Sequence, residues 1–131
     1  LTRSSAASDV YKRQVLPIGA TVNMDGTSMY QAIAVVALAQ FHMVDLTLSQ
    51  QAIIVLTATL ASIGAAAVPS AGLVLMIIVL ESVGLNPAWI ALIFPIDRIL
   101  DMCRTVVNVT GDGAVSSFIA NTEGELSPPS A

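Results

Sequence analysis

Between Asp97 and Asp112 the chain places six polar side chains on one side of a single helix. At about 100° per residue, Asp97, Asp101, Arg104, Thr105, Asn108 and Asp112 share a stripe about 100° wide. The opposite face carries Ile99, Met102, Cys103, Val106, Val107 and Val109. The ordinary reading of such a stripe is a solvated face on an amphipathic helix. The surrounding chain argues against it. Of its 131 residues, 55% are hydrophobic and 11% charged, against about 25% charged in a soluble domain. In so apolar a protein, ionised groups face an interior or a water-filled cavity, where they mark substrate or ion paths.

Charge is unevenly placed. Arg3, Lys12 and Arg13 against Asp9 give residues 1–14 a charge of +2, and the remainder, with Arg98 and Arg104 against eight acids, carries −6. Two basic residues beyond position 14 exclude nucleic-acid binding. The single Cys103 permits no internal disulfide and reads as a packing residue on the apolar helix face. There is no nucleophile–base pair, no Gly-rich phosphate loop and no partner for the one histidine, so the chain does not read as an enzyme.

Residues 1–14 differ in composition from the rest of the chain and contain no signal-peptide run. They read as a non-native or disordered leader. Residues 15–44 are long and apolar enough for a membrane span, interrupted by Asn23-Met24-Asp25-Gly26-Thr27. Gly26 and its short polar neighbours favour leaving the helix locally. Opened backbone at membrane depth must be buried or line a cavity. There its carbonyls, with Asn23 and Asp25, offer the hard oxygen ligands a small cation prefers; the soluble alternative is an Asx-type turn. His42 reads as interfacial, and Ser49 is placed to N-cap the next helix.

Two apolar runs, 50–63 and 73–80, flank a small-residue stretch, Ser62-Ile63-Gly64-Ala65-Ala66-Ala67-Val68-Pro69-Ser70-Ala71-Gly72. Each is too short to span a bilayer. The pair reads either as a re-entrant hairpin, the sequence pointer to a transporter site, or as an ordinary buried αα-hairpin. Residues 87–121 form the last long helix, with Pro87 in its first turn, Trp89 at an interface or in the core, and a Pro95 kink just before the polar stripe. Gly111 and Gly113 loosen it beyond the stripe. Residues 127–131 read as a disordered tail. The fold expected is therefore an all-α membrane protein: transmembrane helix, re-entrant helical hairpin, transmembrane helix.

The stripe suits a zwitterion. Arg104 offers a bidentate fork for a carboxylate, Asp101 one turn earlier suits an ammonium, and Thr105 adds a hydroxyl. Asn108 and Asp112, with Asn23 and Asp25, can surround cations. A buried Arg104 requires a partner, and Asp97 supplies one.

These motifs together resemble the C-terminal third of members of the dicarboxylate/amino acid:cation symporter family, the sodium-coupled glutamate/aspartate transporters. The resemblance covers residues 15 to 126. It rests on Leu16-Pro17-Ile18-Gly19-Ala20-Thr21-Val22-Asn23-Met24-Asp25-Gly26-Thr27, the 62–72 turn, and Asp101-Met102-Cys103-Arg104-Thr105 with Asn108-Val109-Thr110-Gly111-Asp112. It implies that 15–126 is the C-terminal part of a glutamate-transporter-like transport domain, with 50–84 as a gating hairpin that includes Gly64, Pro69 and Gly72. By the same resemblance Arg104 would bind the substrate side-chain carboxylate and Asp101 the amino group. Thr105, Asn108, Thr27 and the backbone at Val68 would complete the substrate site, and Met24 would bridge substrate and ions. Gly19, Asn23, Asp25, Asn108 and Asp112 would hold one sodium ion, and Thr21, Ser62, Ile63 and Ala65 another. Protons are the alternative coupling ion.

Ala67 departs from the Gly that many members carry there. The family's first hairpin and first six helices lie outside this sequence, so the missing N-terminal part would complete the sites. The complete protein is expected to be a homotrimer, multi-pass in the cell membrane, moving acidic amino acids. The alternatives are a C4-dicarboxylate or neutral amino acid symporter, or a non-transporting membrane helical module.

Overall fold

The computed structural model describes residues 17–19, 21–65 and 68–123. The expected leader 1–14, the tail 127–131 and the hairpin residues Ala66 and Ala67 lie outside the described residues. Four α-helices follow one another: α1 (Asp25–Phe41), α2 (Leu48–Ile63), α3 (Ala71–Ser82) and α4 (Asp97–Thr122), with a 3₁₀ helix, Pro87–Leu92, before α4. Among the described residues there is no strand.

The expected span at 15–44 is divided. Residues 17–19 and 21–22 are helical, Asn23 and Met24 are not, and α1 starts at Asp25. Met24 adopts φ −113°, ψ 53°, outside the helical region. The break lies just before Gly26, which sits inside α1. What Gly26 provides is proximity. A Cβ there would lie 2.8 Å from the Arg104 carbonyl oxygen and 2.9 Å from Val107 Cβ, so α1 and α4 touch through bare backbone. Among the described residues, no helix is long and apolar enough to cross a membrane. The physical reasons are the Asn23–Met24 interruption and the ionised stripe of α4.

The re-entrant pair expected over 50–84 appears as α2 and α3, joined through the Gly64–Ser70 stretch. Thr47, not Ser49, caps α2: its hydroxyl accepts from the Gln50 amide, and the Gln50 side chain accepts from the Thr47 amide. That reciprocal box satisfies two donors the helix would otherwise orphan. The helix before the pair and the second helix of the pair close with the same backbone pattern. Val44 donates to Ala39 O and Met43 to Gln40 O after α1; Leu85 donates to Leu80 O and Gly84 to Glu81 O after α3. This pattern needs a left-handed residue. Gly84 meets it at φ 76°, whereas at the end of α1 Met43 is forced to φ 56°.

The single long helix expected over 87–121 is two elements. Asn86 Oδ1 accepts from the Ala88 amide and Pro87 opens a 3₁₀ helix. Residues 93–96 turn, and α4 begins at Asp97. Pro95 has no amide to donate and crowds the preceding turn, so the chain breaks instead of kinking. Beyond it α4 runs through Gly111 and Gly113 without interruption.

The core forms where α1 meets α2 and α3. Val35, Leu38 and Ala39 pack with Ile54 and Ala58 and with Met76, Val79 and Leu80; Trp89, Ile90 and Ile93 cover one edge. Helix α4 is arranged the other way round. Its buried residues are Asp97 and Arg104, while Ile99, Met102, Val106, Val109 and Phe118 are exposed. A helix with charges inward and apolar side chains outward has its polar face committed to a site within the protein.

The Gly26 contact makes a stability prediction. Gly26→Ala should destabilise by about 1–3 kcal/mol, because the atom it meets is backbone and cannot swing away. Gly113→Ala, where an added Cβ meets nothing within 4 Å, should be neutral or stabilising by up to about 1 kcal/mol. Denaturant unfolding in detergent micelles measures both.

Candidate functional site

The start of α4 builds the site. Asp97 and Asp101 occupy its first turns, where carboxylates are favoured by the unpaired amides and the helix dipole. Arg104 follows one turn after Asp101. Its Nη2 donates to Asp101 Oδ1 at 2.6 Å and to Asp97 Oδ1 at 3.3 Å. The Arg104 and Asp97 side chains are 5% and 4% exposed, and Asp101 is 23% exposed.

Helix α1 supplies the floor. The Tyr30 ring lies under the guanidinium, 4.3 Å from ring centre to Cζ, a cation–π contact of the kind that strengthens when desolvated. The Tyr30 hydroxyl donates to Asp97 Oδ1 at 3.4 Å. One step along, Gln31 Nε2 donates to the Gly72 carbonyl at 2.8 Å, tying α1 to α3. Gly72 itself faces Arg104: an added Cβ would collide with Nη1 and come within 3.0 Å of Thr27 Cγ2.

The arrangement holds the guanidinium without saturating it. Arg104 Nε and Nη1 and Asp97 Oδ2 are buried without a hydrogen-bond partner. Leaving such groups bare costs about 1–3 kcal/mol each, more on a charged group. Nε and Nη1 lie on different edges of the guanidinium, and each edge is shared with the occupied Nη2.

A cavity of about 720 Å³ opens beside this cluster. From the break before α1 it is lined by Gly19, Asn23, Met24 and Thr27. Val68, Pro69 and Gly72 of the hairpin line it too, as do Asp101, Arg104, Thr105, Asn108 and Asp112 of α4. All seven residues expected from the sequence to contact substrate therefore border one space. Thr105 points its hydroxyl hydrogen back to the Asp101 carbonyl at 2.9 Å, leaving its oxygen able to accept.

Further along α4 the polar stripe meets the break. Asn108 Oδ1 accepts from the Gly26 amide at 2.8 Å, and its Nδ2 donates to Thr27 Oγ1 at 3.4 Å. Asn23 Nδ2 donates to Asp112 Oδ1 at 2.7 Å. Gly19 packs against Asp112, and a Cβ on Gly111 would lie 3.0 Å from Asp25 Oδ2. Asn23, Asp25 and Asp112 are thus gathered around Gly111, with Gly19 at the same end. The set Thr21, Ser62, Ile63 and Ala65 is arranged differently. Thr21 Oγ1 donates to the Pro17 and Ile18 carbonyls and Ser62 Oγ to the Thr59 carbonyl. None of the four lines the cavity, nor do Asp25 and Gly64. Among the described residues no cluster of three His, Cys, Asp or Glu forms a metal site.

Residues 2–122 match the profile of the Sodium:dicarboxylate symporter family. The chain belongs to that family. It is 57% identical over 100 residues to rabbit excitatory amino acid transporter 3, covering 76% of this chain and 19% of that protein. A putative sodium-dependent excitatory amino acid transporter, glt-4, of Caenorhabditis elegans is 51% identical over 107 residues, 82% of this chain and 21% of the relative. Mouse excitatory amino acid transporter 4 is 51% identical over 117 residues, 87% and 21% respectively. The chain spans about a fifth of the length of these relatives.

Helical register brought out Arg104, Asp101 and Asp97 in this chain. It did not bring out Tyr30, or Gln31 as a tie to α3. Both lie on α1, and their relation to Arg104 and Gly72 is tertiary. The signal available was a Tyr-Gln pair, polar in the middle of an apolar run.

The Gly72–Arg104 contact is testable by a double-mutant cycle. Gly72→Ala should destabilise by about 1–3 kcal/mol in the wild-type background. In an Arg104→Met background, which removes Nη1, the same change should cost at least about 1 kcal/mol less. Thermal unfolding of the four proteins reads the difference.

Proposed function

We propose that the complete protein is a secondary active transporter that couples entry of an acidic amino acid to sodium, and that residues 15–126 are the C-terminal part of its transport domain. The observation that carries this reading is the half-satisfied Arg104. Its Nε and Nη1 are buried donors without partners, beside a cavity that Asp101 also lines. A carboxylate can accept from a guanidinium donor that Asp97 and Asp101 leave open. An ammonium can take Asp101, which is the more exposed of the two acids. An acidic amino acid fits better than a plain dicarboxylate, because only its ammonium gives Asp101 an opposite charge.

Thr27, Thr105, Asn108, Met24 and the backbone near Val68 are the remaining substrate contacts in this reading. Asn23, Asp25, Asn108, Asp112 and the Gly19 carbonyl are the sodium ligands. Support comes from their oxygen chemistry and from the Asn23–Asp112 and Gly26–Asn108 bonds that gather them. Thr21, Ser62, Ile63 and Ala65 form a second ion site once the hairpin, with Gly64, Pro69 and Gly72, closes over the substrate. The protein acts in the cell membrane as a multi-pass homotrimer. The relatives' names and the family description support sodium coupling and an amino acid or dicarboxylate substrate.

Uptake of labelled L-aspartate by the complete protein in proteoliposomes tests the reading. Uptake should require a sodium gradient and resist excess succinate and L-serine. Block by succinate would move the substrate to dicarboxylates and leave Asp101 without a role. Uptake without sodium would remove the ion sites.

A further inference from the structure

The base of the α2–α3 hairpin carries a contact that the transport site does not use. His42, at the C-terminal end of α1, stacks on Trp89 of the 3₁₀ helix, with ring centres 3.7 Å apart and planes 6° from parallel. Phe41 meets the same imidazole edge-on at 5.5 Å. His42 Nδ1 lies 2.9 Å from the Leu38 carbonyl. A carbonyl only accepts, so Nδ1 carries the hydrogen and Nε2 is the nitrogen left to take a proton.

The position of this stack matters. His42 stands immediately before the connection into α2, and Trp89 lies beyond the connection out of α3. The two rings therefore bridge the two segments of chain on which the hairpin is hung. A second observation points to the same spot. Met43, next to His42, is held at φ 56° although it is not glycine, and it is 91% exposed. That backbone is costly for an L-residue, and Met43 has no side-chain packing of its own to hold it. The Val44–Ala39 and Met43–Gln40 backbone hydrogen bonds that close α1 hold it there, directly beside the stack.

We propose that the His42–Trp89 stack is a proton-sensitive pin at the base of the hairpin. His42 and Trp89 are positioning residues: they touch no substrate and act by setting how readily α2 and α3 swing on their connections. Protonation at Nε2 converts an aromatic stack into a cation over the indole face, the strongest cation–π partner among side chains. It also places a positive charge at the C-terminus of α1, where the dipole favours it. His42 faces the Leu38 carbonyl and Phe41 on its own helix and Trp89 on the 3₁₀ helix. Among the described residues it joins no ion pair, and Asp45, in the connection into α2, and Glu81, in the last turn of α3, are exposed. The pin tightens as pH falls and slackens as it rises, the pinned-to-free ratio changing about two- to fivefold. This role for the hairpin rests on reading α2 and α3 as a gate; the pin itself does not.

The test uses the complete protein, its Trp89→Phe variant and its His42→Phe variant. The wild-type minus Trp89→Phe emission isolates Trp89. That emission should be quenched as the pH falls from about 8 to about 5, the window in which imidazole charges. In His42→Phe, which keeps an aromatic ring on the indole, it should be flat. Emission that does not change with pH, or that still titrates in His42→Phe, overturns the pin. Hydrogen exchange of the Leu48–Ile63 amides, compared between wild type and His42→Phe at each pH, reads the hairpin. The wild type should gain about two- to fivefold protection over the variant at the lower pH. An equal ratio at both pH values overturns control of the hairpin. If fluorescence and exchange behave as stated but the protein takes up no aspartate, the transport reading fails and the pin stands.

Discussion

Burial of the Arg104 guanidinium is the constraint on which the rest of the structure depends. A charge taken out of water must be met by opposite charge and hydrogen bonds or it unfolds its surroundings. Here Asp97 and Asp101 meet it along α4 and the Tyr30 face meets it from α1. Each requirement shapes a neighbour. The two acids must lie one and two turns before Arg104, so α4 must begin at Asp97, and Pro95 ends the preceding element there. Helix α1 must come close enough for Tyr30 to reach, and Gly26 permits that approach. Helix α3 passes over Nη1, and a Cβ at position 72 would displace the buried guanidinium.

What the cluster leaves undone is as informative as what it satisfies. Two nitrogens of Arg104 and one oxygen of Asp97 stay bare while buried. A purely structural ion pair would be expected to close these valences, since an unpaired buried donor weakens the fold it sits in. They stay open beside the cavity that Asp101 and Arg104 line. The same logic holds at the α1 break, where Asn23 and Asp112 hold each other and Asn108 holds the Gly26 amide. Those bonds hold the break and the far end of the stripe together.

Much of this was legible from residue order. The stripe from Asp97 to Asp112 placed the charged cluster on one helix face, and the paired short apolar runs gave the hairpin. The resemblance then supplied roles for residues that register alone left open. Three features were not legible, for physical reasons. The 87–121 stretch reads as one helix because its hydropathy is continuous; only the local cost at Pro95 and the Asn86 cap divide it. Gly26 reads as a helix breaker because intrinsic propensity is all that a sequence shows, while its contact with the Arg104 carbonyl is tertiary. Tyr30 and Gln31 belong to an apolar helix by pattern, and their partners lie 67 and 41 positions away in the chain. Thr21, Ser62, Ile63 and Ala65, grouped by resemblance, do not line the cavity beside Arg104.

The central claim is that the open donors of Arg104 read a substrate carboxylate. The measurement that tests it most directly is the relative affinity of the complete protein for L-aspartate and L-serine, before and after Arg104→Thr. Losing a charge-assisted hydrogen bond to a buried guanidinium costs several kcal/mol, so aspartate affinity should fall by at least about a hundredfold while serine affinity holds or rises. An aspartate preference unchanged by Arg104→Thr would contradict the account, because the cluster would then be a structural ion pair and the carboxylate would be bound elsewhere.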